Sequence, residues 1–268
     1  MAYCLRGCAE VDVPVIVLDR PNPAGLRIIE GRPLEEGFES FVGLHPIPAR
    51  HALTIGELAR LFAEMDSLPQ PRVIGIEDWD GNLLPSDYPW VYPSPNMPTP
   101  ETALVYPGMC LLEATNLSEG RGTTRPFNVF GAPWVDGYRI ADRLNGSRWM
   151  EGAVLRPHAF IPTFSKHAGE MCGGCEIHIV DPLRLRPLRM GLGILLEAFR
   201  ESDTSWNDPP YEYEYRKKPI DILAGSDRIR AAMETGDELL LRELAAGDPQ
   251  GHASLTGNIL LYERDFIN

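Results

Sequence analysis

The stretch from Glu113 to Phe127 gathers more chemistry-bearing side chains than any other part of the sequence. It holds two carboxylates, Glu113 and Glu119, two guanidinium groups, Arg121 and Arg125, the amide of Asn116 and several hydroxyls. A carboxylate pair serves glycoside hydrolysis, in which one group protonates the leaving oxygen and the other attacks the sugar or activates water. Gly120 and Gly122 would let backbone amides approach a ligand. The plain alternative is a polar turn held by its own Asn and Ser hydrogen bonds, with arginine pairing glutamate locally. A second cluster, Pro162-Thr163-Phe164-Ser165-Lys166-His167, sets a lysine beside a histidine. That pair could hold an anionic substituent on a sugar or move a proton, or could belong to a solvated loop. Asp19, Arg20 and Asn22 form a third cluster, where turn capping is the alternative. His51 stands just ahead of a capped helix and either donates to a ligand or packs at the helix entrance.

His167, Cys172, Cys175 and His178 are ligand types that zinc accepts, and they include a Cys-x-x-Cys. Structural zinc sites usually separate their ligand pairs by a longer spacer. If Glu176 to Val180 is a strand, Cys175 and His178 also point to opposite faces, so no metal is expected. Gly120-Arg121-Gly122 and Gly191-Leu192-Gly193 lack the third glycine of a dinucleotide loop. No Gly-Lys-Ser, Gly-Lys-Thr or Gly-x-Ser-x-Gly occurs, so neither a phosphate loop nor a nucleophile elbow is expected.

The elements that must position these groups read as α/β. Ala2 to Glu10 is helix-compatible, and Val13 to Leu18 is an almost continuous apolar run of the kind a parallel strand shows. Asp19-Arg20-Pro21-Asn22-Pro23 then falls beyond the strand's carboxyl end, where open α/β sheets bind ligands. Thr54 and Glu57 form a capping box for a helix with Ile55, Leu58, Leu61, Phe62 and Met65 on one face. Arg72 to Ile76 is the next strand, giving one strand, crossover helix, strand unit. Residues 82–101, from Leu84-Pro85-Ser86-Asp87-Tyr88 to Pro100, are too rich in proline for regular structure and read as an ordered crossing between domains. Beyond them Met109 to Leu112 and Glu176 to Val180 read as strands, and Pro187 to Arg200 as a helix with Leu188, Leu192, Leu195 and Phe199 inward. Ser226 and Asp237 are expected N-caps for helices over 227–234 and 238–245, and Asn258 to Tyr262 a closing strand.

Composition narrows the function classes. With 268 residues, 44% of them hydrophobic and 24% charged, the chain is long enough for one or two cores. Its 38 acidic against 25 basic residues give a formal charge of −13, which repels phosphate backbones and anionic lipid, so neither nucleic acid nor membrane is an expected partner. Met1 to Glu10 lacks the features of a signal peptide and no run approaches a membrane span, so the chain as written is expected to stay where it is made. Five cysteines are too few and too scattered for a disulfide scaffold.

Several long runs resemble the NamZ family of exo-acting β-N-acetylmuramidases. They are Leu18 to Pro23, Pro93 to Thr99, Glu101 to Gly108, Thr115 to Phe127 and Pro162 to His167, in that order and across essentially the whole chain. The resemblance implies a Rossmann-like first domain, a C-terminal auxiliary domain, a cleft between them and no metal or nucleotide cofactor. It also implies release of N-acetylmuramic acid from the non-reducing ends of peptidoglycan fragments. The lactyl carboxylate of that sugar would give Arg121, Arg125 or Lys166 a charge-assisted contact that selects muramic acid over glucosamine. Family members are often exported.

One departure matters. The family carries an earlier segment with a Glu-His-Gly motif, whose glutamate is its expected catalytic acid, and no Glu-His-Gly occurs in this chain. Two strands also do not make a sheet buried on both faces, and there is no room for more before Val13. A truncation is therefore expected, with a missing N-terminal segment or a second copy of the chain covering the sheet edge. The expected fold is α/β, an incomplete Rossmann-like parallel sheet over residues 1–105 followed by an α+β C-terminal domain over 106–268. The expected catalytic groups are Glu113 and Glu119. Asn22, His51, Asn116, Arg121, Arg125, Lys166 and His167 are the expected substrate contacts, and N-acetylmuramic acid glycosides the expected partner. The alternative is a muropeptide-binding module without turnover.

Overall fold

The computed structural model describes residues 1–84, 88–201 and 203–268. The chain divides into two compact units: Met1–Ile29, Arg50–Tyr88 and Gly247–Asn268 form the first, and Glu30–Ala49 with Pro89–Ala246 the second. The result is a mixed α/β architecture with a small parallel sheet, an antiparallel sheet and helices.

The first unit opens with α1 (Ala2–Glu10), β1 (Ile16–Leu18), α2 (Ile55–Met65) and β2 (Arg72–Ile74). β1 and β2 pair in parallel, with Ile16 opposite Arg72 and Leu18 opposite Ile74, as a crossover helix between them requires. Both strands are shorter than the apolar runs that announce them. Pro14 removes a donor ahead of β1, and after β2 the Ile76 amide donates to the Tyr262 hydroxyl at 2.9 Å instead of to a neighbouring strand. The capping box forms as expected: the Glu57 amide donates to Thr54 Oγ1 at 3.2 Å and the Thr54 amide to Glu57 Oε2 at 2.9 Å. Leu5, Val17, Ala59 and Ala63 form the core here, packed by Val15, Ile55, Phe62, Leu68 and Val73. Ile16, Leu18 and Ile74 are exposed, so one face of this sheet presents apolar side chains to solvent.

In the second unit Trp90 Nε1 donates to the Met97 carbonyl at 3.0 Å, ordering part of the proline-rich stretch. Pro85, Ser86 and Asp87 of that stretch lie outside the described residues. Thr99 then caps α3 (Pro100–Met109), which has proline in its first turn and leads into a 3-10 turn over Cys110–Ala114. The strand expected from Met109 to Leu112 is therefore helical. Its apolar run reflects burial on several sides, since Met109, Leu111, Leu112 and Ala114 are all in the core. β3 (Val129–Ala132), α4 (Gly137–Leu144), β4 (Ala153–Phe160) and β5 (Cys172–Ile179) follow, and the three strands form an antiparallel sheet in the order β3-β5-β4. β5 contains most of the strand expected from Glu176 but begins earlier, at Cys172. α5 (Pro187–Ala198) buries nearly its whole surface, including Leu188, Leu192 and Leu195. α6 (Pro219–Ala224), α7 (Arg228–Thr235) and α8 (Glu238–Ala245) complete the unit. Asp237 caps α8 by accepting from the Leu240 amide at 3.0 Å. The cap position of α7 is Asp227 instead of Ser226, with no side-chain cap bond.

The tail returns to the first unit with α9 (Pro249–Thr256). The strand expected over Asn258 to Tyr262 is irregular in the structure, because its groups bond to side chains. The Leu261 amide donates to Glu57 Oε1 at 2.9 Å, and the Tyr262 hydroxyl to Asp19 Oδ2 at 2.8 Å. Arg264 closes this junction, donating to Glu57 Oε1 at 2.6 Å and Oε2 at 2.7 Å with both side chains fully buried. Among the described residues no helix is long and apolar enough to cross a membrane.

Candidate active site

The loop after α3 is built by its own backbone. Glu113 sits in the 3-10 turn, and Ser118 then pairs with Gly131 of β3, the two amides donating to the opposite carbonyls at 2.8 and 3.0 Å. Gly120 and Gly122 adopt φ of 80° and 84°, a region that side chains disfavour. A Cβ on Gly122 would lie 2.5 Å from the Phe164 carbonyl oxygen, and one on Gly120 would lie 2.5 Å from that of Val129. These glycines therefore admit the protein's own backbone where the sequence pointed to a ligand. Thr163 fastens the second cluster to the first, donating through its amide and hydroxyl to the Gly122 carbonyl at 2.9 and 2.8 Å.

Lys166 crosses into the resulting pocket of carbonyls. Its ammonium donates to the Leu112 and Leu117 carbonyls, each at 2.9 Å, and to Glu119 Oε2 at 3.0 Å, so its three protons are engaged. Burial lowers the Lys166 pKa, and Glu119 opposes the shift. Glu119 is 1% exposed, with Arg121 Nη1 3.6 Å from its Oε1. The same guanidinium reaches Glu113, Nη2 donating to Oε1 at 2.9 Å, and lies over the Phe127 ring at 5.3 Å. Glu113 Oε2 accepts from the Tyr211 hydroxyl at 3.1 Å. With its side chain still 10% exposed, Glu113 is the carboxylate of the pair that reaches solvent. Burial raises its pKa, opposed by Arg121 and reinforced by Glu119. Cys110, one turn back, is pushed up to about 12 by burial.

Asn116 and His167 lie against the same loop. His167 Nε2 is 2.7 Å from the Asn116 carbonyl, and its ring meets Trp134 edge-on at 5.2 Å. The Asn116 side chain donates to the Asp203 carbonyl at 2.7 Å and accepts from the Ser205 amide at 3.0 Å, pinning that segment. Arg125 turns to a different pair, with Nη2 3.5 Å from Glu101 and Nε 3.4 Å from Glu176. Glu113, Glu119, Arg121 and Lys166 thus form one network of side chains, Asn116 and His167 border it, and Arg125 belongs to a neighbouring one. Asn22 and His51 belong to the first unit. Asn22 accepts from the Ala24 amide at 2.9 Å and donates to the Leu53 carbonyl at 3.0 Å. His51 Nδ1 accepts from the Leu53 amide at 3.0 Å.

Sequence reasoning did not single out Tyr211 or Asn207, whose amide donates to the Glu113 and Thr115 carbonyls at 3.0 and 2.8 Å. The alternation of Tyr211, Tyr213 and Tyr215 with Glu212 and Glu214 was the available signal. In β5 Cys175 is buried and His178 exposed, on opposite faces as strand alternation requires. Among the described residues no three His, Cys, Asp or Glu side chains are grouped as metal ligands.

Residues 104–262 match the family model described as exo-beta-N-acetylmuramidase NamZ, C-terminal, and residues 1–101 match its N-terminal counterpart. The chain belongs to the NamZ family. It is 40% identical over 240 residues to the peptidoglycan beta-N-acetylmuramidase NamZ of Bacillus subtilis (strain 168), an alignment covering 88% of this chain and 56% of that protein. The chain thus spans about half the length of the curated NamZ relative it matches. Two crystal structures of DUF1343 family proteins from Bacteroides fragilis NCTC 9343 are similar in fold. One has a TM-score of 0.82 at 29% identity, over 98% of this chain and 70% of the other. The second has a TM-score of 0.69 at 26% identity, over 99% and 70%.

Proposed function

We propose that this chain cleaves the β-glycosidic bond of N-acetylmuramic acid in peptidoglycan fragments, releasing the sugar from non-reducing ends. The observation that carries the reading is the match of both halves to the exo-β-N-acetylmuramidase models, together with the identity to the Bacillus subtilis muramidase. Glu113 supplies the chemistry. A carboxyl whose hold on its proton burial strengthens can give that proton to the glycosidic oxygen as the bond to the anomeric carbon breaks, and water then adds to that carbon and returns a proton to Glu113. Arg121 and Tyr211 fix the carboxyl's orientation, while Glu119 acts as a positioning residue that holds Arg121 and Lys166 in register.

In the same reading Arg121, partly open to solvent, receives the lactyl carboxylate, and His167 borders the sugar. Lys166 and Asn116 shape that wall from behind, and Asn22, His51 and Arg125 are further candidates for substrate contact. We assign residues 1–105 and 106–268 to the two domains, a division supported by the family models meeting between residues 101 and 104.

A chromogenic N-acetylmuramide tests the assignment. The chain is expected to release the chromophore, and Glu113→Gln to lower kcat by roughly 10²- to 10⁴-fold, the usual contribution of a positioned acid. Calorimetric binding of the same compound without any release by the unaltered chain would overturn turnover and leave a muropeptide-binding module.

A further inference from the structure

Residues 211–215 alternate tyrosine and glutamate and fold back in a two-residue turn. The Tyr211 amide donates to the Glu214 carbonyl at 2.9 Å, and the Glu214 amide to the Tyr211 carbonyl at 2.8 Å. Both corner residues lie in the left-handed region, Glu212 at φ 44° and Tyr213 at φ 68°. Glycine, asparagine or aspartate is usual there, and a tyrosine is strained. Strain of this kind clusters at ligand clamps and active sites. In this conformation Tyr213 is 75% exposed and its ring meets that of Phe41, a residue 55% exposed, edge-on at 5.3 Å. The first residue of the same turn, Tyr211, donates to Glu113. Two peptide steps separate Tyr211 from Tyr213, so their Cα atoms are no more than about 7.6 Å apart.

We propose that Phe41 and Tyr213 form a sugar-stacking subsite for the pyranose ring next to the one whose bond Glu113 protonates. The inference rests on the glycosidase reading above. A pyranose presents a face of C–H groups rimmed by hydroxyls, and this pair offers it exposed aromatic surface, with Glu212, the preceding residue of the turn, also exposed. A protein occupant fits less well. Two rings fall far short of the roughly 1,000 Å² that a specific protein interface buries, and a second copy would bring a charge of −13 against the same charge. The link through Tyr211 also ties the rings to the acid.

The test compares two ligands whose sulfur bridges resist hydrolysis: methyl N-acetylmuramide in its β-thioglycoside form, and a sulfur-linked disaccharide with N-acetylmuramic acid at the non-reducing end and N-acetylglucosamine next to it. By calorimetry the unaltered chain is expected to bind the disaccharide about tenfold more tightly, the effect of one well-placed aromatic anchor. Phe41→Ala and Tyr213→Gly should each remove that preference while leaving methyl N-acetylmuramide affinity unchanged. Tyr213→Gly relieves the strained corner, so it should lose the preference without losing thermal stability. Equal affinity for the two ligands in the unaltered chain, no binding of the disaccharide, or variants that keep its preference would overturn the subsite. Failure to release chromophore from the chromogenic monosaccharide, with the Tyr213-dependent preference intact, would instead overturn the glycosidase reading alone.

Discussion

Lys166 shows how one side chain can hold a polar loop together. Its ammonium is bound by two carbonyls and by the buried carboxylate of Glu119, whose other cationic neighbour, Arg121, stands farther off at 3.6 Å. Removing the cation strands that carboxylate, so Lys166→Met should destabilise the fold by about 3–5 kcal/mol in chemical denaturation. The double variant Lys166→Met/Glu119→Leu should recover a large part of the loss, and equal stability of single and double variants would contradict this account. At this scale the sequence was informative where neighbours in space are neighbours in the chain. Glu113, Glu119 and Arg121 stand out as a polar cluster because one loop carries all three. Tyr211 does not, because it reaches Glu113 across 98 residues, and its alternation with glutamate marks an unusual turn without naming that partner.

Elements with local signatures were legible, and those defined by distant partners were not. The capping box of α2, the first-turn proline of α5 and the Asp237 cap of α8 each declare a helix within a few residues. β3 and β4 carry no such mark: Gly131 interrupts one and Pro157 the other, and antiparallel pairing with β5 is what holds both extended. Asn258 to Tyr262 read as a strand from its apolar residues, yet its donors go to Glu57 and Asp19. Two glycines separate local propensity from packing. A Cβ on Gly56 would lie 2.5 Å from Val73 Cγ1 and 2.8 Å from Asp19 Cγ, whereas one on Gly7 in α1 would meet nothing within 4 Å. Gly56→Ala should therefore cost about 1–3 kcal/mol, and Gly7→Ala should stabilise by about 0.5–1 kcal/mol. Urea denaturation of the two variants checks the opposite signs.

Across the whole molecule, acid sensitivity has an identifiable source beyond the excess of carboxylates. Burial lowers the His51 pKa to about 4, assisted by the nearby positive charges of His252 and Arg264. Between about pH 6.5 and 4 the unfolded chain binds a proton there that the folded chain refuses, so stability is full above the upper value and falls as pH drops through this window. His51→Gln should flatten that part of the profile, which denaturation midpoints at pH 7, 5.5 and 4.5 would reveal. An unchanged slope would assign the loss to other groups.

The clasp between Arg264 and Glu57 also sets an order of events during synthesis. Glu57 is added to the chain 207 residues before its counter-ion, and all of Glu30–Ala49 and Pro89–Ala246 is polymerised before α9 and the tail. The second unit holds all of its residues once Ala246 is added, whereas β1, α2 and β2 keep a carboxylate that has no place in a closed core until Arg264 is made. The first unit therefore closes only after every residue of the second has been added.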